Sequence, residues 1–365
     1  MAQIQLKPHK IEAAVLPERY ARGWHCLGLA SDYTEKPVSY EYFGTKIVVY
    51  RGEDGKINVL DAYCPHMGAD LGLGCVEGNS LRCPFHHWRW GADGICDDIP
   101  YAKRIPAKAV IKSWPTMEEN NLLFVWNDPE DLPPIEGQEP PRIDDCFSGE
   151  WTEWHMDKIT IHTNCRELVD NMADVAHFMP IHGAPVSEFR NEVFQHTYKQ
   201  VLTGGSERLG EGGLYSEATY YGPAYMNTYM VGKQEDGSEL ESRLLVTHVP
   251  IDTESFDLRF GVMVKKNPKL SDAENDAMAE AYVKANNEAF FQDVAIWHTK
   301  TRVDNPVLCD GDGPINRLRQ WYDQFYVDRA DVPNTWDEKK TYGTNYQGYE
   351  WDVGTGIAPQ REAAS

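Results

Sequence analysis

Cys64-Pro-His66-Met-Gly68, answered further on by Cys83-Pro-Phe-His86, is the stretch on which the reading of this chain turns. Each half supplies one cysteine and one histidine, as C-x-H and then C-x-x-H. Two thiolates for one iron and two imidazoles for the other is the ligand division of a mixed-ligand [2Fe–2S] cluster. Neutral imidazoles carry less negative charge than thiolates, so such a cluster is easier to reduce than an all-cysteine one. Pro and Gly interrupt both halves, and strand-like runs flank them. The pattern therefore predicts two hairpin-like loop tips that face each other. A structural Cys2His2 zinc site is the competing reading. Its ligand pairs are usually separated by roughly two to four residues, and the single-residue gap between Cys64 and His66 fits that poorly. Cys75 and Cys96 lie nearby but outside the pattern and read as small core residues.

Working outward, the chain from Gly23 to about Trp126 is strand-like. Lys46-Ile-Val-Val-Tyr50 and Leu122-Leu-Phe-Val-Trp126 are β-branched or aromatic, and Glu53-Asp-Gly55 and Ala92-Asp-Gly94 punctuate them. Residues 128–142 are rich in Pro and acid, which makes a stiff linker. Beyond it, strand-like runs (Leu244 to Val249, Leu258 to Val264) mix with helical ones. The clearest helix starts at Ser271, where Ser271 and Glu274 form a potential capping box, and its periodicity continues to about Thr299. The expected class is α+β, divided into an arm (1–18), an all-β cluster domain (19–130) and a second domain (131–365).

A second constellation lies in Asn164-Cys-Arg-Glu-Leu-Val-Asp170-Asn-Met-Ala-Asp174-Val-Ala-His177-Phe-Met-Pro-Ile-His182. Read as helix up to His177, it puts Glu167, Asp170, Asp174 and His177 on one stripe. His177 and His182 would diverge by roughly 140° on a continuous helix. Pro180 disfavours helix at Met179 and lets the chain turn, so that both imidazoles face one point. Two His and one carboxylate with open positions make a mononuclear non-haem iron(II) site. The best third ligand is Asp293, in the middle of an apolar helix face marked by Tyr282, Ala285, Ala289, Phe290, Ile296 and Trp297. An ionised carboxylate buried there is costly unless a cation pairs with it. The alternatives are a polar surface helix with two satisfied histidines, and an Asp293 paired with Arg302 or backbone donors. Asp174 is left over at i−3 from His177, in position to orient that imidazole.

Composition bounds the rest. With 365 residues the chain suits about two domains. Its net charge of −22 repels phosphate backbones, which argues against nucleic acid as a partner. No stretch reaches the roughly 18 consecutive apolar residues of a membrane helix, and the start lacks a signal-like apolar run. Eight scattered cysteines read as reduced thiols and not as a disulfide framework. The expectation is a cytoplasmic protein with no membrane anchor.

These residues resemble the oxygenase components of the Rieske non-haem iron oxygenases, and within them the 3-ketosteroid 9α-hydroxylase type. The likeness runs through Ala21-Arg-Gly-Trp-His-Cys-Leu-Gly-Leu29, Asn58 to Gly68, Cys83 to Gly91, Ile99-Pro-Tyr101 and Asn164 to Asn171. It continues through Gln292-Asp-Val-Ala-Ile-Trp297, Lys300 to Pro306 and Trp321 to Asp328. Respiratory Rieske loops carry an extra cysteine in each half, whereas Ala69 and Phe85 stand at those positions here. The resemblance implies a Rieske domain followed by a helix-grip catalytic domain with a central antiparallel sheet. It also implies a head-to-tail homotrimer in which the cluster of one subunit serves the iron of the next, with Asp174 as the bridging aspartate for electrons and protons. Per chain it implies one [2Fe–2S] cluster held by Cys64, His66, Cys83 and His86, and one mononuclear Fe(II) held by His177, His182 and Asp293. O2 would be co-substrate, and electrons would come from a separate flavin and iron–sulfur NAD(P)H reductase. The implied reaction is hydroxylation of an aliphatic C–H bond on a steroid-like apolar substrate. Sterol desaturation, O-demethylation and arene dioxygenation remain open as chemistry of the same ligands, and a pure electron-transfer protein as another class. Phe189, Tyr220, Phe290 and Trp297 are candidate pocket aromatics. The segment Gly183 to Arg190 departs from the family pattern and is expected near the substrate, and the tail after Asp328 is short and ends rich in Gly and Ala.

Overall fold

The strand Thr45–Arg51 shows how the first half is built: its alternate side chains feed two different cores. Ile47 and Val49 join Leu27, Tyr42 and Trp114. Val48 and Tyr50 point the other way, toward Leu60, Leu71, Leu81 and the two cluster-motif cysteines. The computed structural model describes residues 8–205, 213–233, 237–346 and 348. Within it three small antiparallel sheets make the first half. One orders Gly23–Leu29, Leu122–Asn127 and Thr116–Glu119. A second orders Val38–Tyr42, Thr45–Arg51, Ile57–Asp61 and Ser113–Trp114. The third is a meander of Cys75–Glu77, Ser80–Arg82, Arg89–Trp90 and Cys96–Asp98. Residues 128–142 carry no helix or strand.

The second half is one eight-stranded antiparallel sheet. Its spatial order is His155–Ile161, Phe256–Val264, Glu239–Pro250, Tyr225–Lys233, Leu214–Tyr221, Thr197–Gly204, Val186–Phe194 and Lys340–Gly343. The last strand comes from the short tail, which thus closes one sheet edge, while residues 349–365 lie outside the described residues. Helix α1 spans Arg166–Asp170, α2 Phe178–His182, α3 Asp272–Trp297 and α4 Ile315–Tyr322. The capping box at Ser271 and Glu274 is formed. α3 lies on the strands Phe256–Val264 and His155–Ile161, with Ala279, Val283, Val294 and Trp297 in their common core. The two halves are locked together by Tyr42, whose hydroxyl donates to Asp257 at 2.6 Å and accepts from Arg259 at 2.6 Å.

One helix differs from the reading of its sequence. The run expected to stay helical up to His177 leaves α-geometry after Asp170. The N–H groups of Asn171, Met172 and Ala173 turn back to carbonyls three residues earlier, as in a tightened helix end. The cause lies in the charges. Glu167 and Asp170 are buried against Lys300, Arg302 and Arg319, at 2.6 to 3.2 Å. Asp174 and His177 point elsewhere, and a continuous helix could not serve both directions. Pro180 does not break a helix either. It sits in the first turn of α2, where its missing N–H costs nothing. Gly183 ends α2 in a left-handed conformation and donates its N–H to Met179.

Candidate functional site

The two loops of the first motif are built alike. The Cys64 N–H donates to Ala69 O at 2.9 Å, and the Gly68 N–H returns to Cys64 O at 2.8 Å. The Cys83 N–H donates to Trp88 O at 2.8 Å, and the His87 N–H returns to Cys83 O at 3.2 Å. Gly68 and His87, the fourth residues after the cysteines, both take positive φ. Each loop thus lifts a histidine above a buried cysteine. Cys64 and Cys83 are 1% and 2% exposed. Burial, reinforced by the neighbouring Cys83 and only partly offset by the His66 backbone, pushes the Cys64 thiol up to about 11. As thiolates the two sulfurs need cations beside them. The imidazoles of His66 and His86 pair up at 4.5 Å between ring centres, and His86 Nδ1 is buried without a partner. Two buried sulfurs, two adjoining imidazoles and an unpartnered ring nitrogen fit a binuclear cluster. A single zinc ion would need all four ligand atoms at one point. Among the described residues only His177, His182 and Asp293 bring three such atoms within 4.8 Å of one another. Trp88 stacks on His66 at 4.6 Å and covers its outer face.

That second group is assembled from distant parts of the chain. His177 caps the start of α2 and His182 ends it, with their rings 5.3 Å apart and nearly perpendicular. Asp293 comes from α3, is 8% exposed, and its Oδ2 lies 3.4 Å from His182 Nε2. Arg302, its alternative partner, is engaged with Glu167 and Asp170 instead. The far ring nitrogens are held. His177 Nδ1 lies 2.6 Å from Asp174 O and 3.6 Å from its carboxylate, and His182 Nδ1 lies 3.0 Å from Gln292 Oε1. Both arrangements leave Nε2 to face the common point, the usual support of metal-binding histidines. Burial works to raise the Asp174 carboxyl, but the hydrogen bonds from His177 and Ala176 outweigh it and hold the group below its ordinary range. A buried carboxylate and two aimed imidazoles fit one divalent cation with open positions.

A cavity of about 240 Å³ opens beside this group. Its floor is the large sheet, where alternation brings Leu214, Ser216, Ala218 and Tyr220 to one face of one strand, and Met226, Thr228 and Met230 to the same face of the next. α3 roofs it with Asn286, Ala289 and Phe290. Most of the lining is apolar, so it suits a rigid apolar molecule with few polar groups.

Several expectations need correction. Ile296 is exposed, because α3 turns Val294 and Trp297 inward instead. Cys75 is exposed, since it starts a hairpin strand at the surface, whereas Cys96 is buried. Of the four aromatic candidates, Tyr220 and Phe290 line the cavity, Phe189 packs on Val175 and Leu202, and Trp297 belongs to the core under α3. Residues 183–190 are not among the cavity's lining residues; most of them lie on the sheet strand Val186–Phe194, where Phe189 packs away in a separate small core. Gln292 received no role from the sequence. Its only signal was adjacency to Asp293, and which side of α3 it served could not be read from one dimension.

Comparison with known proteins follows the same division. Residues 23–115 match the Rieske [2Fe-2S] domain family, and residues 125–326 match the 3-ketosteroid 9alpha-hydroxylase C-terminal domain family. A 3-ketosteroid-9-alpha-monooxygenase oxygenase component of Rhodococcus rhodochrous is 45% identical over 342 residues, which cover 91% of this chain and 88% of the relative. One from Mycobacterium tuberculosis H37Rv is 44% identical over 333 residues, covering 88% and 86%. Cholesterol 7-desaturase of Hemicentrotus pulcherrimus is 31% identical over 355 residues, covering 89% and 73%. In fold, the chain is similar to the crystal structure of dicamba monooxygenase bound to dicamba, with a TM-score of 0.63 at 18% identity, covering 84% and 98%.

Proposed function

The chain belongs to the 3-ketosteroid 9α-hydroxylase family of Rieske oxygenases, and from that premise we propose that His177, His182 and Asp293 hold its mononuclear iron(II) while Cys64, His66, Cys83 and His86 hold its [2Fe–2S] cluster. The protein is the oxygenase component of a steroid monooxygenase: it hydroxylates its steroid with O2 and takes electrons from a separate reductase. The observation that carries the residue assignment is the convergence of two imidazoles and one buried carboxylate at the mouth of an apolar cavity. Iron(II) with open positions supplies O2 activation there. The chain does the rest. The sheet floor and the α3 roof hold an apolar substrate against the ligand group. Asp174 holds His177 through its backbone oxygen, and its carboxylate, 40% exposed, stays available to a donor from outside. In a head-to-tail homotrimer that donor would be His86 of the partner subunit, and the Asp174 carboxylate would accept its hydrogen bond and so bridge the residues of the two centres. A flavin and iron–sulfur NAD(P)H enzyme as the reductase, a cytoplasmic location, and division of the chain at residues 18 and 130 complete the reading. Among the described residues no helix is long and apolar enough to cross a membrane.

The test is turnover of a panel of 3-ketosteroids with a reductase, NAD(P)H and ¹⁸O2. One labelled oxygen atom in an alcohol product supports the reading. An unsaturated, unlabelled product would move the chain toward its desaturase relative.

A further inference from the structure

We propose that Gln292 is a positioning residue that selects the tautomer of His182 and thereby biases that imidazole toward binding a metal and away from pairing with Asp293. The inference rests on the metal reading of His177, His182 and Asp293.

Gln292 and Asp293 are neighbours on α3, about 100° apart around its axis. They hold one imidazole from two sides, Gln292 Oε1 at 3.0 Å from Nδ1 and Asp293 Oδ2 at 3.4 Å from Nε2. A neutral imidazole carries one proton. For Nε2 to offer its lone pair to a metal, Nδ1 must hold the proton and needs an acceptor. Gln292 Oε1 is that acceptor. The same amide turned over would present its NH2 to Nδ1, which would then have to be the lone-pair nitrogen. The proton would move to Nε2 and point at Asp293, closing an in-chain His–Asp contact across the metal position. His177 has no such freedom, because its acceptor is the Asp174 backbone oxygen, which cannot turn over. One ligand is therefore fixed by the main chain and the other by a side chain with two faces. Gln292 is solvent-exposed, and water competes for its hydrogen bond, so its influence belongs at the low end of the 10- to 100-fold range typical of such supporting residues.

The test uses full-length protein with its cluster intact and its mononuclear metal removed, titrated with Co(II) and read by visible absorption. Gln292→Glu accepts only, and Gln292→Met keeps the length and does neither. The expected result is a Co(II) Kd about tenfold weaker in Gln292→Met and equal to or tighter than wild type in Gln292→Glu, with cluster absorption unchanged in both. Equal Kd values for Gln292→Met and wild type, or equal weakening in both variants, would overturn the tautomer role. If wild type bound no Co(II) at this position and His182→Ala gave the same titration, the metal reading itself would fall.

Discussion

The two proposed centres are built by opposite routes. The cluster loops are local. Each takes its cysteine and histidine from a few adjacent residues, and each is shaped by the same pair of main-chain hydrogen bonds. The mononuclear site is assembled. Two histidines at the ends of the one-turn helix α2 meet a carboxylate more than a hundred residues later, and the supports come from elsewhere again. A local site survives damage at a distance, while an assembled one depends on every element that holds its parts in register. The consequences can be graded.

The largest effect falls on the local side. Cys83→Ser should abolish the visible spectrum of the cluster and steroid turnover together, yet leave about one iron per chain at the other centre. Metal analysis beside absorption checks this, and loss of all iron would break the comparison. Next comes the support of the assembled site. Asp170 is buried between Arg302 and Arg319, and Asp170→Asn leaves those cations short of a partner. Unfolding free energy should fall by about 3 kcal/mol in urea. Occupancy of the mononuclear site should fall with it, while the cluster spectrum persists in the folded fraction. The most gradual effect is a pH dependence where the two halves meet. His25 stands on a strand of the first half and His248 on the large sheet, both fully buried. Burial lowers His25 to about 4 and His248 to about 3, the second helped by the neighbouring His25. The unfolded chain takes up these protons near pH 6.5 and the folded one does not, so stability is full above about pH 6.5 and declines as the pH falls toward 4. Each histidine contributes about 1.4 kcal/mol per pH unit at most. Urea midpoints at pH 7 and pH 5 should show this, with a shallower slope in His248→Phe.

The same contrast explains what the sequence alone carries. The C-x-H and C-x-x-H motifs were legible because spacing alone carries them, and even the meeting of His66 and His86 at the loop tips followed from Pro and Gly in each half. His177, His182 and Asp293 were legible as residue types, the last because a lone acid on an apolar face needs a counter-ion. Their supports were not. That Glu167 and Asp170 turn away from Asp174 depends on Lys300, Arg302 and Arg319, which only the fold brings near. Nor could a heptad-like count tell Ile296 from Val294 at the end of α3, since two neighbouring apolar residues compete there for one buried face. The pairing of the tail strand Lys340–Gly343 with Val186–Phe194 likewise has no signal in either segment alone.

The central claim is that two independent metal centres share one chain, the second held by His177, His182 and Asp293. Iron analysis of Asp293→Ala, with the cluster followed by electron paramagnetic resonance after reduction, tests it most directly. Wild type should hold about three irons per chain and the variant about two, with the cluster signal unchanged and turnover lost. Retention of the third iron in Asp293→Ala, or loss of the cluster signal along with it, would contradict it.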